Sequence, residues 1–427
     1  MATRSAILSL IGKTSRSSVR CLSAEAKPQL TRVARDDNTK MLSVKWSDGK
    51  QGRFPYVWLR DNCPAPHTYQ LQQTLKARTL LMKDLDINVE PVRVESDEEH
   101  VRIEWPEEKE AVYTAEWLRT RNIDDGEIRQ KRKEVFLEKK TSWGLDEIKA
   151  KTKFVEFEDL FSDPKVLHDY LCDLCEYGIV FCKNVPENTQ QQKRLSDLIG
   201  YHYPTHYGNF IDVKSDFMPG NLSNTTNTLG LHTDLPYFQY QAGVQVLQCI
   251  RAADGTGGES EFADIIHVAK QIERDHPDLY KLLCTVPLEY CDEGEDKNHA
   301  MLKYDVVYRR PVLQLNDKGE VIAGCFNNQM RSWYYDLPAD EVPKVYQAMK
   351  TLNTYFYKQE NLLKYKLQPG EMVMWDNLRV LHGRAAFQVT GQTGRWLVGA
   401  YYNWDPVKSK IRQIRDELGL PDNQVSV

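Results

Sequence analysis

The sequence has no uncharged apolar run that approaches about 18 residues, so it contains no candidate for a membrane-spanning helix. It has no dominant basic stripe either, and its formal charge of -5 argues against nucleic acid as the main partner. Its nine cysteines are scattered, which predicts reduced thiols rather than a secreted disulfide framework. What the chain does have is 427 residues, 41% of them hydrophobic, enough for one large or two ordinary domains.

Acidic residues are missing from the first 24 positions, and Glu25 is the first one. Several serines and four basic residues occupy this stretch: Arg4, Lys13, Arg16 and Arg20. This composition is typical of a mitochondrial transit peptide, with a disordered tail as the alternative for residues 1–30. We therefore expect a mitochondrial protein, and a cytoplasmic one if the segment is only a tail.

The stretch Leu231–Phe238 carries a His-x-Asp pattern next to a predicted strand. Residues two apart on a strand point the same way, so His232 and Asp234 are expected to face one point. They would supply two of the three ligands of a 2-His-1-carboxylate site for Fe(II). The third candidate is His382, in a predicted short strand after the turn at Asp376.

Arg395 follows His382 by thirteen residues and begins a further predicted strand. Three ligands on one face of iron leave room for a bidentate 2-oxoacid and O2, and a guanidinium can hold the distal carboxylate of that acid through two parallel hydrogen bonds. An isolated His-x-Asp pattern is weak evidence for a metal. Its combination with a distal His-Gly-Arg and with Arg395 favours an iron oxygenase.

Four segments of the chain resemble a known family of oxygenases. Tyr56–Pro64, Phe326–Asn328, Trp375–Arg384 and Tyr402–Asp405 are similar to segments of the γ-butyrobetaine and trimethyllysine dioxygenases. The resemblance runs from about residue 41 to about residue 420, and Phe326–Asn328 and the Trp404-Asp405 pair favour the γ-butyrobetaine branch. It implies Fe(II) as cofactor, 2-oxoglutarate as cosubstrate, and ascorbate as reductant.

The predicted fold is mainly β with surrounding helices, of the α+β class. We expect a small β-rich domain at residues 36–120, a charged linker or helix at 121–153, and a double-stranded β-helix (jelly-roll) catalytic domain at 154–420. Within the small domain, short runs between turn residues predict strands. These strands are expected at residues 41–46, 53–59, 92–94, 101–105 and 112–117.

The resemblance also implies a zinc site in the small domain, but this chain departs from its ligand pattern. The matching positions are Cys63, Ala65, Thr68 and Lys109, so one ligand of four remains. A closed structural zinc site needs four nitrogen or sulfur donors, and we therefore expect no zinc. The alternative is a site formed by Cys63 together with His67 and His100.

Substrate residues are carried over from the resemblance position by position. The family's aromatic cage for a trimethylammonium group falls on Tyr207, Ile211, Asn224 and Tyr401, so two of its four positions are not aromatic. Ring faces hold such a cation because it cannot form hydrogen bonds. Phe210, Phe217, Tyr237 and Trp404 are candidates to complete the cage. Asn221 and Asn327 match the groups that hold or orient the substrate carboxylate, and Tyr207 and Tyr401 have simple barrel packing as their alternative.

The resemblance implies hydroxylation of γ-butyrobetaine to L-carnitine. Hydroxylation of trimethyllysine or another betaine is the first alternative, because of the altered cage. A jelly-roll protein that binds a metal or a small molecule without turnover is the second. The expected partners are a quaternary-amine substrate and O2. A homodimer is compatible with the resemblance, although no stretch of the sequence predicts one.

Overall fold

The computed structural model describes residues 27–72, 75–106, 109–214, 225–252, 255–295, 303–388 and 394–420. The predicted presequence therefore lies almost wholly outside the described residues. Contacts within the chain divide it into two units, residues 1–131 with 425–427 and residues 132–424.

The first unit contains short strands and helices. They are β1 (Leu30–Asp36), β2 (Met41–Trp46), β3 (Gln51–Pro55), α1 (Tyr56–Asp61), β4 (Tyr69–Leu71), β5 (Lys76–Arg78), a 3-10 helix (Met82–Asp84), β6 (Arg93–Ser96), β7 (His100–Trp105), β8 (Lys109–Thr114), α2 (Ala115–Thr120) and α3 (Gly126–Glu134), in which the division at residue 131 falls. Two antiparallel three-stranded sheets, β1-β2-β3 and β6-β7-β8, share one hydrophobic core.

Two of the expected strands of this unit are too long. The strand predicted for residues 53–59 ends at Pro55, and α1 follows it directly. The strand predicted for residues 112–117 ends at Thr114, whose hydroxyl accepts a hydrogen bond from the backbone N–H of Trp117 and caps α2. Aromatic and β-branched residues favour strands, but a capping hydroxyl and a proline changed the backbone direction locally.

The second unit is larger and mixes helices with strands. Its elements are α4 (Leu145–Lys151), β9 (Phe154–Glu156), α5 (Asp159–Ser162), α6 (Pro164–Tyr177), β10 (Ile179–Lys183), α7 (Gln191–Ile199), β11 (Ile211–Lys214), β12 (Leu229–His232), β13 (Val244–Arg251), β14 (Ser260–Asp264), α8 (Ile265–Asp275), α9 (Pro277–Thr285), β15 (Pro287–Glu295), β16 (Lys303–Pro311), β17 (Leu313–Leu315), β18 (Val321–Gly324), α10 (Val342–Phe356), a 3-10 helix (Gln359–Asn361), β19 (Leu363–Tyr365), β20 (Met372–Asp376), β21 (Val380–Arg384), β22 (Trp396–Tyr402) and α11 (Trp404–Glu417).

Two sheets form the centre of this unit. The larger has the strand order β11-β22-β13-β20-β10-β9, and the smaller has the order β12-β21-β14-β19. All pairs in these sheets are antiparallel except β9 with β10. Sequence neighbours are often not spatial neighbours, so residues far apart in the chain meet across the strands.

The larger sheet is buried on both faces. Alternate residues of its strands point to opposite sides, so each face packs through its own set of side chains. On β20, Met372 and Met374 pack against helices, in a cluster with residues of α6, α7 and α11. Val373 and Trp375 point the other way, toward the smaller sheet, where the ring of Phe262 lies 5.6 Å from that of Trp375. The smaller sheet is covered on its outer side by α8 and α10. The two sheets therefore pack face to face between layers of helices.

A buried ion pair fixes the start of this unit to the sheets. The Arg379 guanidinium and the Asp264 carboxylate lie 2.8 Å apart, and both side chains are fully buried. Arg379 also donates to the carbonyls of Thr141 and Glu176, and Asp264 accepts from the backbone N–H of Trp143. The ion pair thus forms hydrogen bonds with the backbone of Thr141 and Trp143, which lie in the segment predicted to be a charged linker or helix.

Candidate metal centre and its surroundings

Two neighbouring strands bring together the two histidines of the predicted metal site. His232 is the last residue of β12 and lies opposite His382 on β21, with ring centroids 4.2 Å apart. His382 lies at the centre of β21. Gly383 allows this close pairing, because a Cβ at that position would stand 2.7 Å from the carbonyl oxygen of Leu229.

Asp234 reaches the same point from just beyond β12. Its backbone N–H donates to Asn377 Oδ1 at 2.8 Å, and its carbonyl accepts from Asn377 Nδ2 at 3.0 Å and from Gln241 Nε2 at 2.6 Å. The next residue, Leu235, has a left-handed backbone with φ of 57°. The chain therefore turns sharply after Asp234, and two amide side chains hold that turn in place.

The three side chains converge on one small volume. Asp234 Oδ1 lies 3.1 Å from His232 Nε2 and 3.7 Å from His382 Nε2, and the ligand atoms all lie within 4.8 Å of one another. Metal–ligand bonds of about 2.1 Å at right angles place donor atoms about 3 Å apart. The separations therefore suit one six-coordinate metal ion bound on one face. Among the described residues, this is the one cluster of three or more metal-binding side chains.

The protonation of the three groups suits metal binding. Burial and the charge of neighbouring His232 lower the pKa of His382 to about 3, which keeps its imidazole neutral. Burial acts to raise the pKa of Asp234, but His382, His232 and Tyr401 outweigh it and hold that pKa below its ordinary value. His232 Nδ1 lies 2.8 Å from the carbonyl of Gly230, so we assign its proton to Nδ1 and leave Nε2 available to a metal.

Tyr401 contacts this centre directly. Its hydroxyl donates to Asp234 Oδ2 at 2.6 Å, and burial raises its pKa well above the ordinary value, so the donor proton stays in place. Asp234 thus has one oxygen bound to Tyr401 and the other facing the histidines. Tyr401, predicted for the substrate cage, therefore also orients a candidate metal ligand.

Arg395, the predicted carboxylate-binding residue, is buried directly before β22 and leaves 8% of its surface exposed. It has no acidic partner and no hydrogen-bond partner among the described residues. Burial lowers its pKa to about 10, and the charge of Arg384 adds to the shift. Arg384 lies two residues after His382 on β21, so the side chains of Arg384 and His382 point to the same face of that strand. A buried guanidinium without a counter-charge is costly, which makes this position suited to an anionic ligand.

The other predicted substrate residues have different surroundings. The hydroxyl of Tyr207 lies 3.4 Å from that of Tyr237, a candidate to complete the cage. Phe210 stacks on His202 with centroids 4.9 Å apart and is 36% exposed. Ile211 pairs with Gly399 on β22. The remaining candidates Asn221, Asn224 and Phe217 lie outside the described residues.

Asn327 and Trp404 have roles in local structure. Asn327 Nδ2 donates to the carbonyl of Thr233, and its Oδ1 accepts from the backbone N–H groups of Gln329 and Met330 at 3.1 Å. It therefore holds its own loop beside the metal ligands. Trp404 begins α11 and packs on the helix side of the larger sheet, with Tyr402 and its neighbours. It does not join Tyr207 and Tyr401.

The alternative zinc set in the first unit is not brought together. Cys63 Sγ lies 3.9 Å from His67 Nε2, but His100 lies 3.4 Å from Asp97 instead. No group of three metal-binding side chains forms among the described residues of this unit. Thr68 stands at one of the positions where the family's zinc ligand is replaced, and it accepts a hydrogen bond from Arg60 at 2.6 Å.

Sequence reasoning missed several residues that shape the centre. Asn377 and Gln241 hold the Asp234 turn, but the sequence predicted no role for either of them. Asp292 and His206 lie next to Tyr207 and were not singled out. Asn377 is a polar residue in an otherwise apolar motif, and this was the only signal in the sequence that could have indicated it. No sequence pattern indicated Gln241, Asp292 or His206.

The described part of the chain has no helix that is long and apolar enough to cross a membrane. Residues 147–401 match the family described as "Taurine catabolism dioxygenase TauD, TfdA family". Residues 33–121 match the family described as "Gamma-butyrobetaine hydroxylase-like, N-terminal". The two matches fall in the second and first units respectively.

Individual proteins are similar over nearly the whole chain. A γ-butyrobetaine dioxygenase of Homo sapiens is 30% identical over 382 residues, which cover 90% of this chain and 96% of that protein. The γ-butyrobetaine dioxygenase of Pongo abelii gives the same values. A mitochondrial trimethyllysine dioxygenase of Gallus gallus is 32% identical over 375 residues, which cover 87% of this chain and 85% of that protein. The resemblance inferred from the motifs is thereby confirmed, and this chain is a dioxygenase that belongs to the TauD/TfdA family.

Proposed function

We propose that this enzyme uses Fe(II) and 2-oxoglutarate to hydroxylate γ-butyrobetaine to L-carnitine. The observation that carries the proposal is the convergence of His232, Asp234 and His382 on one point. The similarity to γ-butyrobetaine dioxygenases over 90% of the chain supports the choice of substrate. When bound, the metal and the oxoacid would activate O2, so that one of its oxygen atoms can be inserted into an unreactive C–H bond.

The residues of the chain fit these two groups. Two neutral imidazoles and one carboxylate are the donor set of a non-haem Fe(II) oxygenase, and they leave one face of the metal open. Arg395 would hold the distal carboxylate of 2-oxoglutarate, which would supply the counter-charge that this buried guanidinium lacks. Tyr401, Asn377 and Gln241 orient Asp234 so that the open face is fixed.

The substrate would be held by aromatic rings and amides. The hydroxyls of Tyr207 and Tyr237 lie 3.4 Å apart, and the Tyr401 hydroxyl bonds to Asp234. Ring faces such as theirs attract a trimethylammonium group. Asn221 and Asn327 remain the predicted residues for the substrate carboxylate. Because the Asn327 side chain already bonds to three backbone groups, we propose that it acts by orienting its loop.

Trimethyllysine is the alternative substrate. Ile211 replaces an aromatic ring of the implied cage, and the trimethyllysine dioxygenase of Gallus gallus is similar to this chain at 32% identity. The same metal centre would serve both reactions. A protein that binds a metal without turnover is the alternative of another class, and the experiment below separates all three.

Several broader expectations belong to the same proposal. We propose that the two face-to-face sheets form a double-stranded β-helix, with a small β-rich domain at residues 36–120, a charged connection at 121–153 and a catalytic domain at 154–420. The acid-free first residues and the mitochondrial trimethyllysine dioxygenases favour a mitochondrial location, with the cytoplasm as alternative. A homodimer stays a prediction.

The test is 2-oxoglutarate turnover by the purified protein with Fe(II) and ascorbate, with γ-butyrobetaine and trimethyllysine compared side by side. We expect stimulated succinate formation and a γ-butyrobetaine product heavier by about 16 Da, the mass of one inserted oxygen atom. His232→Ala should abolish both, and His276→Ala, which changes an exposed histidine outside the centre, should not. A strong preference for trimethyllysine would show that trimethyllysine, and not γ-butyrobetaine, is the substrate. Identical behaviour of His232→Ala and the unchanged protein would refute the oxygenase proposal.

A further inference from the structure

A carboxylate lies beside the aromatic residues of the proposed substrate site. Asp292, on β15, has its Oδ2 atom 3.5 Å from the hydroxyl of Tyr207 and 3.3 Å from His206 Nε2. Its side chain is 14% exposed. No lysine or arginine among the described residues pairs with it. Asp292 is therefore a mostly buried acid whose nearest positively chargeable neighbour is one imidazole.

His206 is enclosed by rings. Its side chain is 1% exposed, and neither ring nitrogen makes a well-aligned hydrogen bond. Ring centroids of Tyr207, Tyr304, Phe238 and Tyr237 lie 3.9, 4.5, 5.5 and 5.8 Å from its own. The imidazole thus packs against the Tyr207 ring, with the Asp292 carboxylate 3.3 Å from its Nε2 atom.

We propose that Asp292 is a specificity-determining residue that recognises the positive charge of the substrate's ammonium group. The inference rests on the proposed function and specifies how its substrate site selects a charged head group. A phenol that donates to a carboxylate has a more electron-rich ring, so Asp292 strengthens the attraction between the Tyr207 face and a cation. The carboxylate also attracts the cation directly, and this attraction is stronger among apolar rings than in water.

The altered cage makes this carboxylate more important. Ile211 supplies no ring face where the implied cage has one, so fewer rings share the cation. A buried negative charge compensates, because cation–π attraction and Coulomb attraction act on the same group. A neutral molecule of the same shape would gain from neither. The site should therefore discriminate by charge and not only by shape.

The experiment compares γ-butyrobetaine with 5,5-dimethylhexanoate, in which carbon replaces the nitrogen and removes the charge. Binding of each is measured by calorimetry without O2, to protein supplied with Fe(II) and 2-oxoglutarate. We expect the unchanged protein to prefer the cation, and Asp292→Asn to reduce that preference about tenfold, equivalent to about 1.4 kcal/mol. Asp292→Glu should retain most of it. Glu293→Gln removes an exposed charge from the same strand and should leave the preference unchanged.

Asp292→Thr provides a second charge-removing variant if the asparagine variant does not fold. An unchanged preference in a folded charge-removing variant would overturn the proposal, and so would an equal loss in Glu293→Gln or binding of neither compound by the unchanged protein. The outcome is separable from the proposed function. If the protein prefers the cation through Asp292 but does not hydroxylate it, the proposed reaction is refuted and the role of Asp292 stands. If the protein hydroxylates γ-butyrobetaine but its preference for the cation does not depend on Asp292, the reaction stands and the role of Asp292 is refuted.

Discussion

Replacing Tyr401 with phenylalanine separates the contact that this residue makes in the structure from the substrate contact proposed for it. The change removes the hydroxyl that donates to Asp234 Oδ2 at 2.6 Å and keeps the ring face. A hydrogen bond to a charged group contributes about 1.5–3 kcal/mol. Losing such a partner of a metal-binding carboxylate typically lowers metal affinity about 10-fold to 100-fold. We therefore expect Tyr401→Phe to bind Fe(II) at least about tenfold more weakly.

The assay is titration of the anaerobic protein with Fe(II), followed by calorimetric binding of γ-butyrobetaine at saturating metal. Binding of the substrate should change little, because the ring proposed to face the cation is retained. Tyr402→Phe is the matched control: its buried hydroxyl lies 2.9 Å from Ser196 Oγ, and its side chain faces the helices instead of the metal. If Tyr401→Phe and Tyr402→Phe bind Fe(II) equally well, the hydroxyl does not orient Asp234 and the reasoning is refuted.

Three further changes test other parts of the molecule. Arg395→Ala should raise the KM for 2-oxoglutarate about 100-fold or more in steady-state kinetics, because a buried bidentate partner is lost, and a normal KM would rule out its assigned role. Asp264→Ala leaves the Arg379 guanidinium buried and unpaired, so urea denaturation should show a free energy of unfolding lower by about 3–5 kcal/mol, and a loss below about 1 kcal/mol would contradict this. Gly383→Ala places a methyl group against the carbonyl of Leu229, so Fe(II) affinity should fall measurably, whereas unchanged affinity would show that the strand pairing tolerates the methyl group.

The part of the site that the sequence predicted depends on local spacing. His232 and Asp234 are two positions apart, and His382 and Arg395 were predicted from two short strands and the thirteen-residue spacing between these residues. The strands of the larger sheet were predictable for a similar reason, since the apolar runs around residues 244–250 and 372–376 are too continuous for a surface loop. Local pattern was therefore enough to select the three side chains that the structure brings together.

What the sequence could not predict depends on distant contacts. The Asp234 turn is held by Asn377, 143 residues away, and by a left-handed Leu235 that no residue preference would suggest. The Tyr401 hydroxyl meets Asp234 across 167 residues. Asp292 and His206 come from unrelated segments and meet only in the folded chain. Side-chain pairs of this kind depend on tertiary packing and have no periodic signature.

The proposed metal ligands lie on β12, directly after it and on β21, and 147 residues separate the two strands. A metal ion bound to His232, Asp234 and His382 therefore acts as a cross-link that only the folded protein can form. By mass action, free Fe(II) at 100 times its dissociation constant would stabilise the fold by about 2.7 kcal/mol. Resistance to heat and proteolysis would then follow iron supply, so that iron limitation would lower the amount of this enzyme in the cell as well as its activity.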